Sequence, residues 1–267
     1  MRFFAEISYA GTGYSGWQIQ ANAPSIEEEM DKAFSAILKE KIKVTGAGRT
    51  DTNVNALHYI AHFDTGNDII LKEHGKVLYK INAILPKGIA VNGIYPVKDS
   101  AHARFSATCR TYSYFIHYGK EPFMGHYSWE CKYRLDIGAM NAASEYLVGN
   151  RDFSCFEKAH SGQVSPVCDL KSAEWKKYVP MLAASPGEHE YLVFNVSSNR
   201  FLRNMVRAIV GTMIEIGRGR RSPEWMREVI ESSDRGMAGQ SVPGHALFLT
   251  GIEYPFEFKT NAINIIQ

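Results

Sequence analysis

The feature of this sequence that most limits its fold is a repeated order, in which alternating strand patterns are followed by amphipathic helix patterns. Residues 3–9 alternate in hydrophobicity as a half-buried strand does, and residues 26–37 then place apolar side chains at helical spacing. The second half repeats this order, with an alternating run at residues 112–118 and a helical pattern from Ile137. This mixed order predicts an α+β protein with helices on one face of a largely antiparallel sheet.

The clearest helical pattern lies late in the chain and ends at Gly217, a typical helix stop. It predicts that Arg203 and Arg207, four residues apart, lie close together on one side of a helix. An arginine-bearing turn at residues 102–110 separates the two halves. We therefore expect an N-terminal domain of residues 1–105 and a C-terminal domain of residues 106–267. The apolar positions of the late helix are Leu202, Met205, Val206, Ile209, Val210, Met213 and Ile216.

Composition indicates a globular protein of the cytoplasm. The chain has 267 residues, of which 45% are apolar, and this is enough to bury a sizeable core. Residues 1–7 alternate like a strand rather than like a signal peptide, and no run reaches the ~18 apolar residues of a membrane span. The four cysteines form no Cys-x-x-Cys pair, so the pattern favours reduced thiols over a zinc or redox motif.

The net charge is only +2, which is low for a protein that binds a polyanion. Binding of phosphates would therefore depend on local groups of basic residues. Arg104 and Arg110 lie on either side of one turn and are candidates for this role. Further basic residues concentrate around the late helix, namely Arg200, Arg203, Arg207, Arg218, Arg220 and Arg221.

A glycine-hinged loop at residues 46–56 carries the most distinctive polar run, Arg49-Thr50-Asp51. Strand-like segments at residues 42–45 and 58–64 flank the loop and provide a frame that can hold Asp51 rigidly. Loops on rigid frames are frequent places for functional sites. Taken alone, however, the run favours an Asx turn in which Asp51 caps its own backbone and Arg49 is solvated.

The loop resembles the signature Gly-Arg-Thr-Asp-x-Gly-Val-His-Ala of the TruA family of tRNA pseudouridine synthases. Asp51 matches the aspartate on which catalysis in that family depends. Two positions depart from the pattern, because Asn53 replaces a glycine and Asn55 replaces a histidine. Asparagine tolerates a left-handed backbone, so we expect the turn to persist at Asn53. Asn55 replaces a ring that can stack and titrate, and we interpret it as a tuning change.

The resemblance extends over nearly the whole chain. Six further segments match the family's motifs in the same order, at residues 9–20, 82–86 with 102–107, 110–114, 152–154, 201–207 and 242–247. The resemblance implies two similar α+β halves that share a largely antiparallel sheet, with helices on one face and an active cleft between the halves.

The resemblance also implies roles for residues far from the loop. Tyr112 matches the tyrosine that stacks on the flipped uracil, although Tyr114 lies on the same face of the predicted strand and competes with it. Arg207 matches the arginine that pairs with the catalytic aspartate, and Leu202 matches a wall of the base pocket.

Three arginines complete the implied site. Arg49 matches the residue that inserts where the flipped base has left the stem. Arg104 and Arg110, together with the late arginines, are the expected contacts to phosphates.

As a member of this family the chain would be an isomerase that makes pseudouridine at positions 38–40 of the tRNA anticodon stem-loop. The resemblance implies a homodimer with tRNA as its partner, and neither a metal nor an organic cofactor. Whether Asp51 attacks the base or the ribose, or abstracts a sugar proton, stays open.

Three other functions fit parts of the sequence. A non-catalytic RNA-binding protein of the same fold is the main alternative, since α+β sheets bearing aromatics are common RNA platforms. A hydrolase of small glycosides needs a second carboxylate, and none stands out as a partner for Asp51. A metal-dependent nuclease needs a cluster of ligands, whereas His58 and His62 are more readily explained as neighbours on one face of a strand.

Overall fold

The structure, a computed structural model, describes residues 1–158, 165–181 and 190–259. These residues form an α+β fold in which the strands pair mostly antiparallel, as the sequence predicts. They divide into two compact units. Unit 1 consists of Met1–Thr108 and the C-terminal residues from Leu249, and unit 2 is Cys109–Phe248.

The elements of the described residues are as follows. The strands are β1 (Arg2–Tyr9), β2 (Thr45–Gly46), β3 (Asn55–Asp64), β4 (Ile89–Val97), β5 (Cys109–His117), β6 (Trp129–Glu130), β7 (Gly149–Asp152), β8 (Val167–Tyr178), β9 (Tyr191–Ser198) and β10 (Leu247–Glu253). The α-helices are α1 (Ile26–Leu38), α2 (Ile69–Lys72), α3 (His74–Ile84), α4 (Ile137–Glu145), α5 (Met205–Gly217) and α6 (Trp225–Ser232).

Unit 1 is built on a sheet in which β1 pairs antiparallel with both β3 and β4. Alternate residues of β1 point to the helical side, where Phe3 stacks on Phe63 and Phe63 meets Phe34 of α1 edge to face at 4.7 Å. The side chain of Ser25 caps α1 by accepting a hydrogen bond from the backbone N–H of Glu28 at 3.3 Å. Burial of this aromatic layer holds the helical face against the sheet.

The strand predicted at residues 42–45 is wrong except at its last residue. The observed strand β2 contains only Thr45–Gly46. Ile42 and Val44 are buried, but their backbone N–H groups bond to side chains of α1, namely Ser35 Oγ at 2.9 Å and Asp31 Oδ1 at 2.7 Å. The segment is therefore held by a helix instead of a neighbouring strand.

Unit 2 contains the sheet β5-β9-β8-β7, in which each neighbouring pair is antiparallel, with the short β6 parallel to β5. In this register Tyr112 of β5 faces Val196 of β9. Helix α5 is buried at every position except Arg207 and Glu215, so it forms the centre of the unit. Trp175 and Phe194 stack at 5.0 Å on neighbouring strands of the same core.

The two compact units group the C-terminal residues differently from the domains predicted at residues 1–105 and 106–267, which stay a prediction. The N-terminal unit extends to Thr108, close to the predicted boundary after residue 105. Residues from Leu249 belong with unit 1, and in the strand order β10 is a neighbour of β3.

Two general properties of the described residues concern the class of protein. Within residues 1–158, 165–181 and 190–259, no helix is long and apolar enough to cross a membrane. All four cysteines are free thiols in the structure.

Candidate active site

The loop between β2 and β3 carries Asp51 at a tight turn. The backbone N–H of Val54 donates to the carbonyl oxygen of Asp51 at 3.1 Å, which closes the turn. Asn53 has a φ of 63°, so its backbone is left-handed, as predicted for the residue in the glycine position. Asp51 itself is half-buried. The loop therefore places a carboxylate at a fixed, partly accessible position.

The glycine turn that follows β1 packs directly on this loop. Asn53 N–H donates to the carbonyl oxygen of Tyr14 at 3.2 Å. A Cβ on Gly11 would lie 2.2 Å from the carbonyl oxygen of Val54, and one on Gly16 would lie 2.1 Å from that of Thr50. Both separations are far below van der Waals contact, so only glycine permits this approach. The turn thus supports the backbone on both sides of Asp51, a role that the sequence reasoning did not assign.

Asn55 fastens the same two segments through its side chain. Its Oδ1 accepts a hydrogen bond from Gly11 N–H at 2.8 Å, and the residue is fully buried. Buried polar side chains are usually hydrogen-bonded, and the carbonyl oxygen of the Asn55 side chain meets this requirement. The replacement of the family's histidine therefore has a physical role, which is to tie the glycine turn to the start of β3.

Aromatic residues of unit 1 hold the first half of the loop. The hydroxyl of Tyr9 lies 3.0 Å from Thr50 Oγ1, and the hydroxyl of Tyr59 donates to the carbonyl oxygen of Gly48. Trp17 stacks on Tyr59 with ring centroids 4.2 Å apart. Since these side chains are buried, they fix the backbone on which Arg49 and Asp51 stand.

Arg49 points away from this buried support. It is exposed, and its Nε donates to Gln18 Oε1 at 3.1 Å. An exposed hydrogen bond of this kind is weak, so the guanidinium can exchange Gln18 for another partner at little cost. The structure thus leaves the guanidinium of Arg49 accessible to solvent.

Exposure separates the two candidate tyrosines of β5. Tyr114 is fully buried, its hydroxyl donates to the carbonyl oxygen of Pro243 at 3.1 Å, and burial raises the pKa of that hydroxyl well above its usual range. Tyr112 is half-exposed, and its ring meets Phe201 edge to face at 5.2 Å and 90°. Of the two rings, that of Tyr112 retains surface on which a base can stack.

The start of α5 differs from the predicted helix. Asn204 has a φ of 67° and forms the N-cap, so the helix begins at Met205. Leu202 and Arg203 precede it, and the expectation that Arg203 and Arg207 share one side of the helix is wrong. Leu202 is buried, whereas Arg203 is exposed. The left-handed Asn204 redirects the chain, and its Nδ2 is held by Ser241 Oγ at 2.6 Å.

Arg207 is fixed by the segment that contains Val242. Its Nε donates to the carbonyl oxygen of Val242 at 2.7 Å, and Val242 N–H donates back to the carbonyl oxygen of Arg207 at 3.2 Å. The close approach depends on Gly211, where a Cβ would lie only 1.7 Å from the carbonyl oxygen of Gln240. Arg207 is half-buried, so its guanidinium is both oriented and partly shielded from water.

Comparisons with known proteins find relatives along nearly the whole chain. A family model described as tRNA pseudouridine synthase matches residues 143–255. The chain is 44% identical to tRNA pseudouridine synthase A of Bacteroides thetaiotaomicron over 254 residues, which cover 95% of this chain and 91% of the relative. The chain belongs to the tRNA pseudouridine synthase family. The relatives include tRNA pseudouridine synthase A of Bacteroides fragilis, at 44% identity over 96% of this chain and 97% of that protein. They also include that of Francisella tularensis subsp. novicida, at 36% over 98% of each.

Membership of the tRNA pseudouridine synthase family makes the protein an isomerase and confirms the predicted resemblance to the TruA family. In the described part of this synthase, no three His, Cys, Asp or Glu residues are grouped as a metal site requires. His58 lies on β3, where its Nδ1 is 2.8 Å from Glu6 Oε1, and His62 Nδ1 accepts from Ala103 N–H at 3.2 Å. Both imidazoles therefore have structural partners within unit 1.

The two expected phosphate contacts of this synthase differ in their surroundings. Arg104 is exposed, and its guanidinium carbon lies 5.6 Å from the centroid of the Phe105 ring. Arg110 is half-buried, and its Nη1 donates to the carbonyl oxygen of Asn199 at 2.7 Å. Arg110 thus contacts the bend after β9 that leads to Phe201 and Leu202, a contact with no signature in the sequence.

Proposed function

We propose that this protein converts uridine to pseudouridine in the anticodon stem-loop of tRNA, at positions 38–40 by family resemblance, with Asp51 as the catalytic nucleophile. The observation that carries the proposal is the family's aspartate loop in a chain similar to tRNA pseudouridine synthase A along nearly its whole length. The support of that loop by Gly11, Gly16 and Asn55 is consistent with a carboxylate that must be held in place.

The reaction explains why a carboxylate is needed. The bond between uracil N1 and ribose C1′ breaks, the uracil rotates, and a bond forms between C5 and C1′. The proton on C5 then leaves and N1 takes up a proton, so the product is an isomer of the substrate. Asp51 would engage the nucleotide during this exchange, at the base or at the ribose. A nucleophilic carboxylate must be ionised, and a nearby guanidinium favours the ionised form. We assign that role to Arg207 by its match to the family.

The other roles follow the chemistry of base extrusion. An enzyme that acts on a base within folded RNA must first flip it out of its stack. Tyr112 would stack on the flipped uracil, and the apolar side chain of Leu202 would form a wall of its pocket. Arg49 would occupy the place that the base leaves in the stem. Arg104 and Arg110 would contact phosphates, which set the orientation of RNA without reading its sequence.

The proposal includes the setting in which the enzyme works. By family resemblance we infer a homodimer in the cytoplasm, with tRNA as its partner and with neither metal nor organic cofactor. Sedimentation of the purified protein measures its oligomeric state. Turnover assayed with and without a chelator tests whether a metal is required.

The test uses release of tritium from tRNA that carries 5-tritiated uridine, since the hydrogen on C5 is lost as pseudouridine forms. We expect release by the unaltered protein and a fall of several orders of magnitude in Asp51→Asn, as removal of a catalytic nucleophile produces in other enzymes. Binding of tRNA to the variant, measured by filter retention, should stay close to that of the unaltered protein because the substitution keeps the size of the side chain.

Asp68→Asn is the matched control. Asp68 is an exposed carboxylate of unit 1 that pairs with Lys72, and its loss should leave release unchanged. Release by Asp51→Asn at the unaltered rate would disprove the role of Asp51. Absence of release from the unaltered protein, with tRNA binding intact, would favour the non-catalytic RNA-binding alternative.

A further inference from the structure

The turn after β4 presents an aromatic side chain to solvent. Phe105 is 77% exposed, more than Tyr79 at 75% or Phe123 at 63%. Single exposed apolar residues are common on protein surfaces and need no special explanation. The surroundings of Phe105 are what distinguish it from the other exposed rings.

Two further planar groups flank Phe105. The ring of His102 lies 4.4 Å from the Phe105 ring, centroid to centroid, and is tilted by 42°. The guanidinium carbon of Arg104, itself exposed, lies 5.6 Å from the Phe105 centroid. The three side chains form one patch that combines an apolar face with a positive charge, and we name this patch, His102, Arg104 and Phe105, the Phe105 platform.

The backbone beneath the Phe105 platform is held firmly. His102 Nδ1 accepts hydrogen bonds from the N–H groups of Arg104 at 3.1 Å and Phe105 at 3.3 Å. Ser106 closes the turn from both sides, since its N–H donates to the carbonyl oxygen of His102 at 2.9 Å and its Oγ accepts from His102 N–H at 3.0 Å. A ring presented on such a turn loses little conformational freedom when it binds a partner.

Contacts from distant segments of unit 1 add to this rigidity. Ala103 N–H donates to His62 Nδ1 at 3.2 Å, and the Tyr254 hydroxyl donates to the carbonyl oxygen of Ala103 at 2.6 Å. The fold therefore uses β3 and the segment after β10 to position one short turn. None of these contacts buries Phe105, so the rigid support ends in an exposed ring.

We propose that the Phe105 platform stacks on an unpaired base of the RNA substrate. The inference rests on the proposed function and deepens it by naming a base contact outside the pocket of the reacting uridine. Unpaired bases of RNA loops stack on aromatic rings and on guanidinium planes, and the cation also attracts the neighbouring phosphate. Arg104 thus contributes to a stacking surface as well as to the phosphate contact inferred above.

The experiment measures the dissociation constant of an anticodon stem-loop RNA by fluorescence anisotropy. Loss of one base–aromatic stack weakens binding by about 1–3 kcal/mol, so Phe105→Leu should raise the Kd roughly 5- to 150-fold. Phe105→Trp should restore tight binding. Tyr79→Leu is the matched control, because Tyr79 is equally exposed in unit 1, and its Kd should stay unchanged.

A second series identifies the base. Stem-loops with an abasic nucleotide at one loop position at a time should bind the unaltered protein more weakly at the stacked position. That same abasic RNA should bind Phe105→Leu no more weakly than the intact RNA does. The proposal is overturned if, at every loop position, the abasic nucleotide weakens binding of Phe105→Leu as much as it weakens binding of the unaltered protein. Equal rises of the Kd in Phe105→Leu and Tyr79→Leu would also overturn it.

Two outcomes separate this inference from its foundation. If the unaltered protein releases tritium but Phe105→Leu binds RNA normally, the platform is refuted and the proposed function stands. If Phe105→Leu changes the oligomeric state in sedimentation while leaving the Kd of the RNA unchanged, the ring serves a contact between copies of the chain and the proposal is overturned.

Discussion

Gly16 provides a sharp test of the support beneath Asp51, because the same turn contains a matched glycine. Gly16 has a φ of 97° and Gly13 a φ of 85°, so alanine at either position must adopt a left-handed backbone. A Cβ on Gly13 would meet nothing within 4 Å, whereas a Cβ on Gly16 would lie 2.1 Å from the carbonyl oxygen of Thr50. The two variants share the backbone strain and differ in the collision.

The sizes of the two effects can be estimated separately. A left-handed backbone costs an alanine roughly 1–2 kcal/mol, which lowers the Tm of either variant by roughly 2–8 °C. In Gly16→Ala the methyl group must also move the backbone next to Asp51 by about 1 Å, since ordinary van der Waals contact begins at 3.4 Å. A displacement of that size at a reacting group reduces the rate on the order of 10²-fold.

The assay is single-turnover release of tritium at saturating tRNA, well below the Tm of both variants. We expect Gly13→Ala to react at nearly the unaltered rate and Gly16→Ala to react on the order of 10²-fold more slowly. Circular dichroism and thermal melting establish that both remain folded. Equal rates in the two variants would refute the reasoning, because the collision with Thr50 would then have no effect on the position of Asp51.

Two further predictions concern the neighbour of Tyr112 and the carboxyl group of Asp31 in α1. Phe201→Leu removes the edge-to-face contact with Tyr112, worth about 0.5–1.5 kcal/mol, and should lower kcat about 2- to 12-fold. The control Phe115→Leu removes a similar pair with Phe248 at 5.3 Å and should leave kcat unchanged. Equal losses of kcat in the two variants would reduce Phe201 to a structural role. Burial raises the pKa of Asp31 to about 6, partly opposed by the hydrogen bond from Val44 N–H. Between about pH 4 and 6 the folded state therefore binds more protons than the unfolded state, so the free energy of unfolding should fall as the pH rises through this range. Asp31→Asn should remove this pH dependence and, after allowance for solvent screening, raise the free energy of unfolding at pH 7 by about 1 kcal/mol. Urea unfolding between pH 4 and 7 measures both effects, and an unaltered pH profile in the variant would contradict the assignment.

The sequence predicts helices and strands best where the signal is local. Ser25 with Glu28 indicates the start of α1, and Pro86 indicates the end of α3, which stops at Ile84 with Leu85 in an extended conformation. The start of α5 is different, because Asn204 has a left-handed backbone and its side chain bonds to Ser241, which is distant in the sequence. Hydrophobic spacing continues through Leu202 whether or not the chain is helical there, so the pattern cannot show the break.

Burial and pairing also decide features that periodicity leaves equal. Tyr112 and Tyr114 have equivalent places in an alternating strand, yet Tyr114 is fully buried and Tyr112 is not, and the hydroxyl of Tyr114 bonds to Pro243, far away in the chain. Ile42 and Val44 alternate as strand residues do, although their backbone bonds go to α1. In both cases the sequence shows which side chains are apolar but not which segment covers them or accepts their hydrogen bonds.

The candidate catalytic groups in the two units are supported in the same physical way. The loop of Asp51 rests on backbone atoms of the glycine turn, and the helix of Arg207 rests on the segment that contains Val242. Contacts between backbones do not depend on the identity of a side chain, except where a Cβ would intervene, as at Gly16 and Gly211. A motif search finds the aspartate and the arginine, but the residues that fix their positions include glycines whose function lies in having no side chain. Variants that impair the reaction without touching the substrate should therefore concentrate at these glycines rather than at the polar neighbours of the loop.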